Sequence, residues 1–448
     1  MPHSAAAAPR PPSSLRDGIE AYRRYVNPLV TARAELLGEP VEVSATAGGQ
    51  LLGSGVPVED FHGTQSFGHR HPAVTAAVQR FLASDEPNWF PSRVNPWAGR
   101  LARALCERSA RTLEGPRPAY DNVFFANSGS GAVEAAIKLA RAATGRPGII
   151  AIDGAYHGCT MGSCALMKAG MFRDRFAPHL PGVVSLQRGD EGGLARLLAA
   201  GDIAAVVMEP IQLEGGVHAQ PPAFIAAACE LTARHGTVLV ADEIQTGLGR
   251  TGRFLASEVW PRRPDVVVLG KHLGGGLLPI SAMLTRGELF QRAYGEHHAA
   301  AEAHNTTFGG HALACVAALA VLDLLTDDVI AGNAARGVRL RGQLERTLGH
   351  HALFEEVRGA GVLIGIALRA TDHPWLTFEH FGAEALSGQP TIGVIVCHRM
   401  YRRGFYCFAC GHDWRVLRVL PRFDIADDVL DRFVAALDDE LTVLGALV

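Results

Sequence analysis

Residues 264–284 read PDVVVLGKHLGGGLLPISAML, and this stretch decides how the rest of the chain is interpreted. It opens with an apolar, β-branched run that is typical of a buried strand, and the run ends just before Lys271 and a glycine-rich turn. An earlier apolar run, TVLVAD, ends at Asp242. The pattern therefore predicts one lysine and one aspartate, each at the end of a buried strand.

Similar apolar runs alternate with helix-like stretches from about Tyr120 onward. Continuous apolar strands separated by helices indicate a mainly parallel sheet covered on both faces, and hence an α/β fold. Ligands of such sheets bind beyond the carboxyl ends of the strands, which is where Asp242 and Lys271 are expected. The predicted strands are NVFFA, GIIAID, IAAVVME, TVLVAD, DVVVLG and ISAML, and two of the helices are AVEAAIKLARAA and PPAFIAAACELTARH.

A lysine and an aspartate in these positions have the chemistry needed to hold pyridoxal phosphate. The lysine amine can form a Schiff base with the aldehyde, and the carboxylate can keep the pyridine nitrogen protonated so that the ring accepts electrons. A surface lysine and a structural aspartate would explain either residue alone. Their combination favours the cofactor site.

The composition is that of an ordinary globular protein. Of the 448 residues, 48% are hydrophobic and 19% are charged, and the formal net charge is -3. This balance gives no electrostatic case for binding nucleic acid or an anionic membrane. No apolar run approaches the roughly 20 residues that are needed to span a bilayer.

The N-terminus and the cysteines bear on where the protein is located. Residues 1–18 contain an alanine run but no basic start followed by a bulky apolar segment, so they predict a disordered tail rather than a signal peptide. Eight cysteines are too few for a disulfide scaffold, and reduced thiols in the cytoplasm are expected. Cys407 and Cys410 form a CxxC without a second pair, inside a stretch typical of an aromatic strand, so no metal site is predicted.

A chain of this length is expected to divide into more than one part. After the tail we expect an N-terminal segment at 19–75 that packs with the small domain, and a large cofactor-binding domain at 76–323. A smaller α+β C-terminal domain is expected at 324–448, because the strand–helix alternation changes character near residue 324.

The stretch NSGSGAVEAAIKLAR follows the first predicted strand and opens a helix. Asn127, Ser128, Gly129 and Ser130 form a small hydroxyl-bearing turn, where backbone N–H groups and the positive end of the helix dipole suit a phosphate. An ordinary Ser-Gly helix cap is the alternative. The next run, IDGAYHGCT, places Tyr156 after a strand, where its ring can stack on a flat heteroaromatic ring.

A glycine pattern offers a rival interpretation. The segment ADEIQTGLGRTGRF contains GxGxxG at Gly247, Gly249 and Gly252, a pattern found in dinucleotide-binding folds. However, the following RFLASEVW is a weak helix opening, and the first glycine comes five residues after Asp242. A NAD-dependent enzyme is therefore the weaker alternative.

Six motifs in a fixed order carry a resemblance to a known family: NSGSGAVEAAIK, YHGCT, MEPIQLEGG, ADEIQTGLGRTG, GKHLGGGLLPISA and TTFGGHALAC. Their order and spacing closely resemble those of the class III pyridoxal-phosphate-dependent aminotransferases, which have the fold type I architecture. The resemblance runs from SFGHRHPAV to VLRVLPRF, over three quarters of the sequence.

The resemblance implies roles for individual residues. Lys271 resembles the Schiff-base lysine, and Asp242 resembles the partner of the pyridine nitrogen. Glu214 and Arg418 match a pair in which the arginine grips an α-carboxylate and the glutamate covers the arginine otherwise. Thr307 matches a residue that reaches the phosphate from the neighbouring subunit, which implies a homodimer. The other implied positions are Ser128, Gly129 and Ser130 at the phosphate, the stacking Tyr156 with His157, Glu209, Gln245 near the phenolic oxygen, and Trp89 and Phe90 at the substrate entrance, where ordinary interface packing is their alternative.

Three departures from the family pattern bear on the substrate. The phosphate turn continues with Ser-Gly-Ala where the family usually has Thr-Glu-Ala, and TFGG is followed by His311 instead of asparagine. The third departure is Cys159, because relatives that act on ornithine, acetylornithine or 4-aminobutyrate bind the second carboxylate with an arginine there. A cysteine cannot do this, and Arg93 or Arg173 would have to supply the charge.

Together these features predict a cytoplasmic, homodimeric aminotransferase that uses pyridoxal 5'-phosphate in a ping-pong mechanism. The expected donor is a terminal amine or an amino acid, but not ornithine or 4-aminobutyrate, and the expected acceptor is a 2-oxo acid such as 2-oxoglutarate or pyruvate. An aminomutase or racemase of the same family is the main alternative, and a catalytically inactive cofactor-binding protein is another.

Overall fold

The structure is a computed structural model, and it describes residues 15–36, 43–46, 49–53, 56–91, 94–110, 120–371, 373, 376–380 and 388–446. The expected tail at 1–18 is described only from residue 15, where helix α1 (Leu15–Tyr25) begins; residues 1–14 lie outside the described residues. Asp17 in its first turn and Arg23 and Arg24 in its last turn complement the helix dipole. These charges favour a helix where composition alone indicated disorder.

The N-terminal part forms a small sheet that is attached to the C-terminal part. Its elements are α2 (Pro28–Leu36), β1 (Val43–Ala45), β2 (Leu51–Gly53), β3 (Val56–Asp60), α3 (Pro72–Leu82) and α4 (Pro96–Ala110). The three strands pair antiparallel, and β3 also pairs in parallel with Phe405–Tyr406. Phe61, directly after β3, is fully buried, and its ring centroid lies 5.1 Å from that of Phe433.

A seven-stranded sheet lies at the centre of the chain, with strand order β4-β12-β11-β10-β7-β5-β6. Every pairing in it is parallel except those of β12, which runs antiparallel to both of its neighbours. The elements of this region are β4 (Asn122–Ala126), α5 (Gly129–Thr144), β5 (Gly148–Ile152), α6 (Met161–Ala165), β6 (Val183–Leu186), α7 (Glu191–Ala199), β7 (Ile203–Met208), β8 (Ile211–Gln212), β9 (His218–Ala219), α8 (Pro222–His235), β10 (Val238–Asp242), β11 (Val266–Leu269), β12 (Ser281–Thr285), α9 (Gly287–Tyr294) and α10 (His298–Glu302).

The burial of this sheet explains the sequence pattern. Strands β5, β7, β10, β11 and β12 are buried at every residue, because helices and loops cover both faces. A strand that is buried on both faces has no reason to alternate polar and apolar side chains. The predicted α/β fold with a mainly parallel sheet is therefore confirmed.

The C-terminal part contains a four-stranded antiparallel sheet of order β13-β14-β17-β16 with helices packed on it. Its core includes Leu340, Ile366, Val396 and Phe433. The division of the chain into an N-terminal segment (19–75), a large domain (76–323) and a small domain (324–448) stays a prediction. The elements are α11 (Ala312–Leu324), α12 (Asp327–Leu348), β13 (Phe354–Ala360), β14 (Leu363–Leu368), α13 (Ile392–Arg402), β15 (Phe405–Tyr406), β16 (Phe408–Ala409), β17 (Val416–Val419) and α14 (Asp427–Gly445).

Two features bear on the membrane and on the CxxC sequence. None of the helices within the described ranges combines the length and the apolar character that crossing a membrane would require. Cys407 packs in the core of the C-terminal sheet, whereas Cys410 belongs to a separate apolar cluster with Val217 and Val416. The two thiols of the CxxC therefore belong to different clusters.

The strand order brings the polar residues named above to one edge of the large sheet. Asp242 is the last residue of β10, and Lys271 follows the adjacent parallel strand β11 by two positions. Glu209 directly follows β7, which lies on the other side of β10. Because these strands are parallel, their carboxyl ends meet at the same edge.

Candidate active site

Lys271 begins a short 3-10 turn, Lys271–Gly274, immediately after Gly270. Its backbone has φ = +47°, a left-handed conformation that is uncommon for a residue with a side chain and that marks a constrained position. Burial lowers the pKa of its amine, the nearby carboxylates of Glu214 and Asp242 oppose this, and Arg418 adds to it. The net effect lowers the pKa and favours a neutral amine.

Asp242 is buried and is held by two hydrogen bonds. Its Oδ1 accepts the backbone N–H of Ile244 at 3.1 Å, and its Oδ2 accepts Nδ1–H of His157 at 2.7 Å. Burial alone would lower the pKa of His157, but the bond to Asp242 and the charges of Asp242 and Glu209 outweigh it, so that the pKa is raised. An imidazole that donates a hydrogen bond to the carboxylate holds Asp242 in a fixed orientation.

Glu209 is the second buried carboxyl group of this edge. Its Oε1 accepts the backbone N–H of Tyr156 at 2.9 Å, and only 2% of the residue is exposed. Burial raises the pKa of Glu209 to about 8; His157 opposes the rise and Asp242 adds to it. Glu209 therefore positions the backbone at Tyr156 and is largely uncharged at neutral pH.

The turn before α5 packs tightly against the segment that follows Asp242. Ser128 is the helix N-cap, and its Oγ accepts the N–H of Gly131 at 3.1 Å. A Cβ atom at Gly129 would lie 2.8 Å from Cδ1 of Ile244, so only glycine fits without a shift. Ser130 Oγ accepts the backbone N–H of Cys159 at 3.1 Å. The turn thus presents the open N-terminus of a 16-residue helix beside Asp242.

Tyr156 and Cys159 lie side by side at the mouth of the site. The Tyr156 hydroxyl and the Cys159 thiol are 3.1 Å apart, and Cys159 is exposed. Burial and this hydrogen bond raise the pKa of Tyr156. Arg173, which could have replaced the missing charge, donates instead to Asp174 and to the carbonyl of Met167.

Glu214 and Arg418 form an ion pair across two distant parts of the chain. Arg418 lies in β17, and its guanidinium sits 5.4 Å from the ring centroid of Phe408 on the neighbouring strand. The other oxygen of Glu214 accepts the N–H of Gly411 at 2.7 Å. Nε of Arg418 finds no hydrogen-bond partner among the residues the structure describes. The pair is therefore anchored on the glutamate side by a second hydrogen bond, while Nε of the arginine is buried without one.

A cavity of about 1250 Å³ opens beside this ion pair. Tyr156, Glu214 and Arg418 line it, and the rest of its wall comes mainly from α13 and from the segment around β15 and β16. Asp242, Lys271 and the turn 128–130 do not belong to the lining within the described ranges. The site therefore has a compact strand-end part and a wide part on the C-terminal side.

Comparison with known proteins places this geometry in a family. Residues 61–441 match the family described as aminotransferase class-III. This chain belongs to that family. The aminotransferase is 41% identical over 377 residues to acetylornithine aminotransferase of Mycobacterium tuberculosis, with 83% of each chain covered.

Two further relatives extend the comparison. Aminotransferase PigE of Serratia sp. is 31% identical over 457 residues, which cover 94% of this chain but 52% of PigE, so the chain spans about half the length of that relative. A solved amine transaminase from an uncultivated Pseudomonas species, with pyridoxal phosphate bound, superposes with a TM-score of 0.77 at 26% identity. That superposition covers 90% of this chain and 94% of the other.

Class III aminotransferases use pyridoxal phosphate, and it is the cofactor of this enzyme. The described residues fit it: a buried carboxylate lies at one strand end, a lysine with a lowered pKa follows the next strand, and a helix N-terminus suited to phosphate lies beside both. His157 Nε2 is buried without a described partner on the same edge. The predicted family, enzyme class and cofactor are confirmed.

Some predicted site residues lie away from the cavity in this chain. Trp89 is 45% exposed, Phe90 is partly buried against Phe81 and Val316, and neither lines the cavity. Thr307 is also exposed. Gln245 is 8% exposed in the turn after Asp242, and Arg93 lies outside the described residues.

The glycine pattern at 247–252 has a structural role. Gly249 would clash through a Cβ with Leu325, and the segment continues into an extended turn rather than a helix. Arg250 is fully buried and donates to the carbonyls of Gly63 and Pro421 and to Ser66. The pattern therefore joins the large sheet to the N- and C-terminal parts, and the dinucleotide interpretation is wrong.

One site residue was missed by sequence reasoning. His62 lines the cavity, and its ring centroid lies 4.7 Å from that of Phe408. Burial, together with the charges of Arg418 and Lys271, lowers the pKa of His62 to about 4. No local pattern marks this histidine, because it reaches the site through the pairing of β3 with β15.

Away from the cavity lining, His350, His351 and Asp438 place one possible metal-ligating atom each within 4.8 Å of one another. Nε2 of His351 lies 2.7 Å from the Asp438 carboxylate. His350 is exposed.

Proposed function

We propose that this aminotransferase moves the amino group of a terminal amine or amino acid to a 2-oxo acid by a ping-pong mechanism. The Glu214–Arg418 pair beside the cavity carries this proposal, because an arginine with a displaceable partner can serve two substrates in turn. We also propose that the enzyme works as a homodimer in the cytoplasm.

Pyridoxal phosphate, when bound, supplies an aldehyde carbon for attachment of an amine and a ring that accepts electrons. Lys271 is proposed to hold the aldehyde carbon, Asp242 the ring nitrogen, and Ser128, Gly129 and Ser130 the phosphate. Gln245 and Tyr156 are proposed beside the ring.

Lys271 is proposed to move the proton in both half-reactions. Once the substrate amine has displaced it, its Nζ could take the proton from the substrate's Cα and deliver it to the former aldehyde carbon on the other side of the nitrogen. A base must be neutral to accept a proton, and the lowered pKa of the Lys271 amine supports this role.

Asp242 is proposed to keep the ring nitrogen protonated. This requires an ionised carboxylate in a buried place, which is costly without hydrogen bonds. The bonds from His157 and from the Ile244 N–H lower that cost. Glu209, with its pKa of about 8, adds little competing negative charge at neutral pH.

Glu214 is proposed to cover Arg418 while an amine donor without a carboxylate near Arg418 occupies the cavity. An unpaired arginine facing an apolar tail would be costly to bury, and the present ion pair removes that cost. When the 2-oxo acid arrives, its carboxylate can pair with two N–H groups of Arg418 and displace Glu214.

The donor is proposed to lack a carboxylate at the position where Cys159 stands. The Mycobacterium tuberculosis relative is named for acetylornithine, and the Pseudomonas relative for amines. Because Cys159 carries no positive charge and Arg173 is engaged by Asp174, the amine-type donor is favoured here. A diamine, an ω-amino compound or an amine on a larger intermediate fits this environment.

The dimer is proposed from residues that face outward in one chain. Thr307 is exposed next to Thr306 and Phe308, which hydrogen-bond with Asn127 beside the phosphate turn. Trp89 is exposed as well. A second subunit that covers this surface would bring such residues to the phosphate turn of its partner.

A panel of amines and amino acids tests the function directly. Each donor is mixed with the purified enzyme and with 2-oxoglutarate or pyruvate, and glutamate or alanine is quantified against consumed donor. We expect a one-to-one yield for at least one amine donor. Conversion of the donor to an isomer without use of the oxo acid would overturn the proposal in favour of a mutase or racemase.

A further inference from the structure

We propose that the wide cavity binds an elongated amine, with an apolar body along a strip of aromatic rings and an anionic group at the far end near Arg402. This inference rests on the proposed function, since it names the class of donor that the same site would take. It commits to a donor with a negative charge remote from the reacting amine.

The position of the cavity is the first argument. Its volume of about 1250 Å³ exceeds the roughly 300–1,000 Å³ of ordinary ligand sites. Apart from Tyr156, none of the residues proposed to hold the cofactor belongs to the described lining, so most of this volume lies on the substrate side. A small amino acid would fill only a fraction of it.

An aromatic strip leads away from the reactive end. The Arg418 guanidinium lies 5.4 Å from the ring centroid of Phe408, which lies 4.8 Å from that of Tyr406. Tyr406 is in turn 6.0 Å from Tyr401, and all four side chains line the cavity. Tyr401 immediately precedes Arg402. A methylene chain that passes Arg418 can therefore lie on rings along its whole length.

Helix α13 forms another wall of the cavity, and the length of the helix sets the length of that wall. The cavity is lined along this helix from its N-cap, Thr391, through Val394, Ile395 and His398, to its last residue, Arg402. With a rise of about 1.5 Å per residue, this 11-residue helix carries the wall over roughly 16 Å.

The start of α13 lies at the reactive end of the cavity. Gly393 packs so closely against the Trp414 carbonyl that no Cβ fits there. The Trp414 indole N–H donates to the carbonyl of Gly411, whose own N–H is bonded to Glu214. The helix therefore runs from the Glu214 end of the cavity to Arg402.

The arginines at the far end of the cavity differ in whether an acidic residue already binds them. Arg399 and Arg403 are both bound to Glu440. Arg402 lines the same end, is exposed, and forms no ion pair with any described residue. A cavity whose aromatic wall ends near an exposed guanidinium suits a carboxylate or a phosphate on a long chain.

Matched donors of increasing length test the apolar body. Primary amines of about three, six and ten carbons sample the wall, because an extended chain advances roughly 1.3 Å per carbon. Each length is used with a methyl, a carboxylate or a phosphate at the far end, and kcat/KM is measured with one oxo acid. Among the methyl-ended amines we expect kcat/KM to rise by about fourfold per added methylene until the cavity is filled.

The anionic end is tested with Arg402→Gln against Arg432→Gln, an exposed arginine of α14 outside the cavity lining. At the longest length we expect the charged donor to exceed the methyl-ended one by about tenfold in kcat/KM, an advantage that R402Q abolishes and R432Q retains. Comparing carboxylate with phosphate separates the two possible anions. Thermal melts confirm that both variants fold.

A binding measurement separates this inference from the proposed function. The ω-hydroxy counterpart of the longest carboxylated amine cannot react, and its binding to the wild type and to R402Q is measured by isothermal titration calorimetry. Binding that weakens about tenfold in R402Q supports the inference even if every amine fails to consume oxo acid, which would overturn only the transamination. Equal kcat/KM for short and long amines, or no effect of R402Q on binding of the analogue, would overturn the elongated anionic donor.

Discussion

The two ends of the site are built in different ways. The strand-end part is compact: Asp242 has fixed partners on both oxygens, and Gly129 leaves no room for a single extra carbon beside Ile244. The cavity part is wide, and its walls come from α13 and from the short strands β15 and β16. One end can hold a group of constant shape, and the other can accommodate a donor of considerable size.

This difference indicates how one family can vary its substrates. The strand-end residues belong to a sheet that is buried along its strands, where a change of one side chain disturbs the core. The cavity walls carry half-exposed side chains such as Val394, Ile395 and His398, which can change without disturbing the sheet. Variation in substrate is therefore expected at the cavity end, while the cofactor end is expected to tolerate little change.

The largest effect is expected for Lys271→Ala, which removes the proposed attachment point and base together. The chain has three lysines, at 138, 168 and 271, and only Lys271 stands at a strand end of the large sheet. We expect turnover to fall by at least about 10⁴-fold, since both nucleophile and base are lost. Reduction with borohydride, followed by peptide mapping, should find cofactor on Lys271 in the wild type and on no lysine in the variant.

The control for this change is Lys138→Ala, an exposed lysine of α5. It should keep its cofactor band and its rate. If cofactor were still covalently bound in the Lys271→Ala variant, the attachment point would have been assigned to the wrong residue.

Asp242→Asn should retain bound cofactor but lose about 10²-fold or more in rate. A neutral amide cannot hold a proton on the ring nitrogen by charge, although it can still accept the hydrogen bond from Ile244. Cofactor content by absorbance and kcat measure the two effects separately. Asp153→Asn, one residue beyond the end of β5, is the matched control, and near-normal turnover of Asp242→Asn would assign the role to another acid.

Arg418→Ala should act mainly on the half-reaction with the oxo acid. This effect would distinguish the cavity end of the site from the strand-end part. Losing a charged pair of about 3 kcal/mol predicts an increase of roughly 10²-fold in KM for the oxo acid, with a much smaller effect on the amine half-reaction. Single-turnover measurements of each half-reaction give the comparison.

Glu214→Gln provides the opposite change at the same pair. A weaker competitor for Arg418 should lower KM for the oxo acid by about threefold, because the carboxylate no longer displaces a charged partner. For the Arg418→Ala variant, an equal decrease in the rates of both half-reactions would instead show that Arg418 has a structural role.

The last prediction concerns Glu209 and the pH dependence of stability rather than of turnover. Its pKa is raised from 4.5 in the unfolded chain to about 8 in the fold, so the folded protein keeps a proton that the unfolded chain releases. The stabilisation from this group is therefore full below pH 4.5 and is lost as the pH rises towards 8. The loss is at most about 1.4 kcal/mol per pH unit.

Glu209→Gln removes this titration. We expect the free energy of unfolding of the variant to increase relative to that of wild type between about pH 5 and pH 8, because only the wild type loses this stabilisation. Urea unfolding of the cofactor-loaded proteins at several pH values measures the difference, with the exposed Glu230→Gln as control. If the difference in the free energy of unfolding stayed constant over this range, Glu209 would not be the group that titrates there.

Much of the cofactor end could be predicted from the sequence because it depends on short, continuous segments. The apolar run before Lys271 predicts a buried strand whatever lies next to it, and Ser128 predicts a helix N-cap from its immediate neighbours. Parallel strands then bring such residues to one edge without further information. The fold class and the cofactor followed from these local patterns, the family followed from the resemblance of six ordered motifs, and the comparisons confirm all three.

The tertiary structure alone decided the cavity end. His62 reaches the site because β3 pairs with β15, and Arg418 meets Glu214 although 204 positions separate them in the chain. Phe408, Tyr406 and Tyr401 form a strip only because a short strand and a helix pack side by side. Contacts between residues far apart in sequence depend on how separate elements pack, and no periodicity within one element records that packing. The sequence by itself therefore determined which cofactor chemistry this protein carries, whereas the volume and the charges of the cavity proposed to bind the donor were decided by the packing of the C-terminal part.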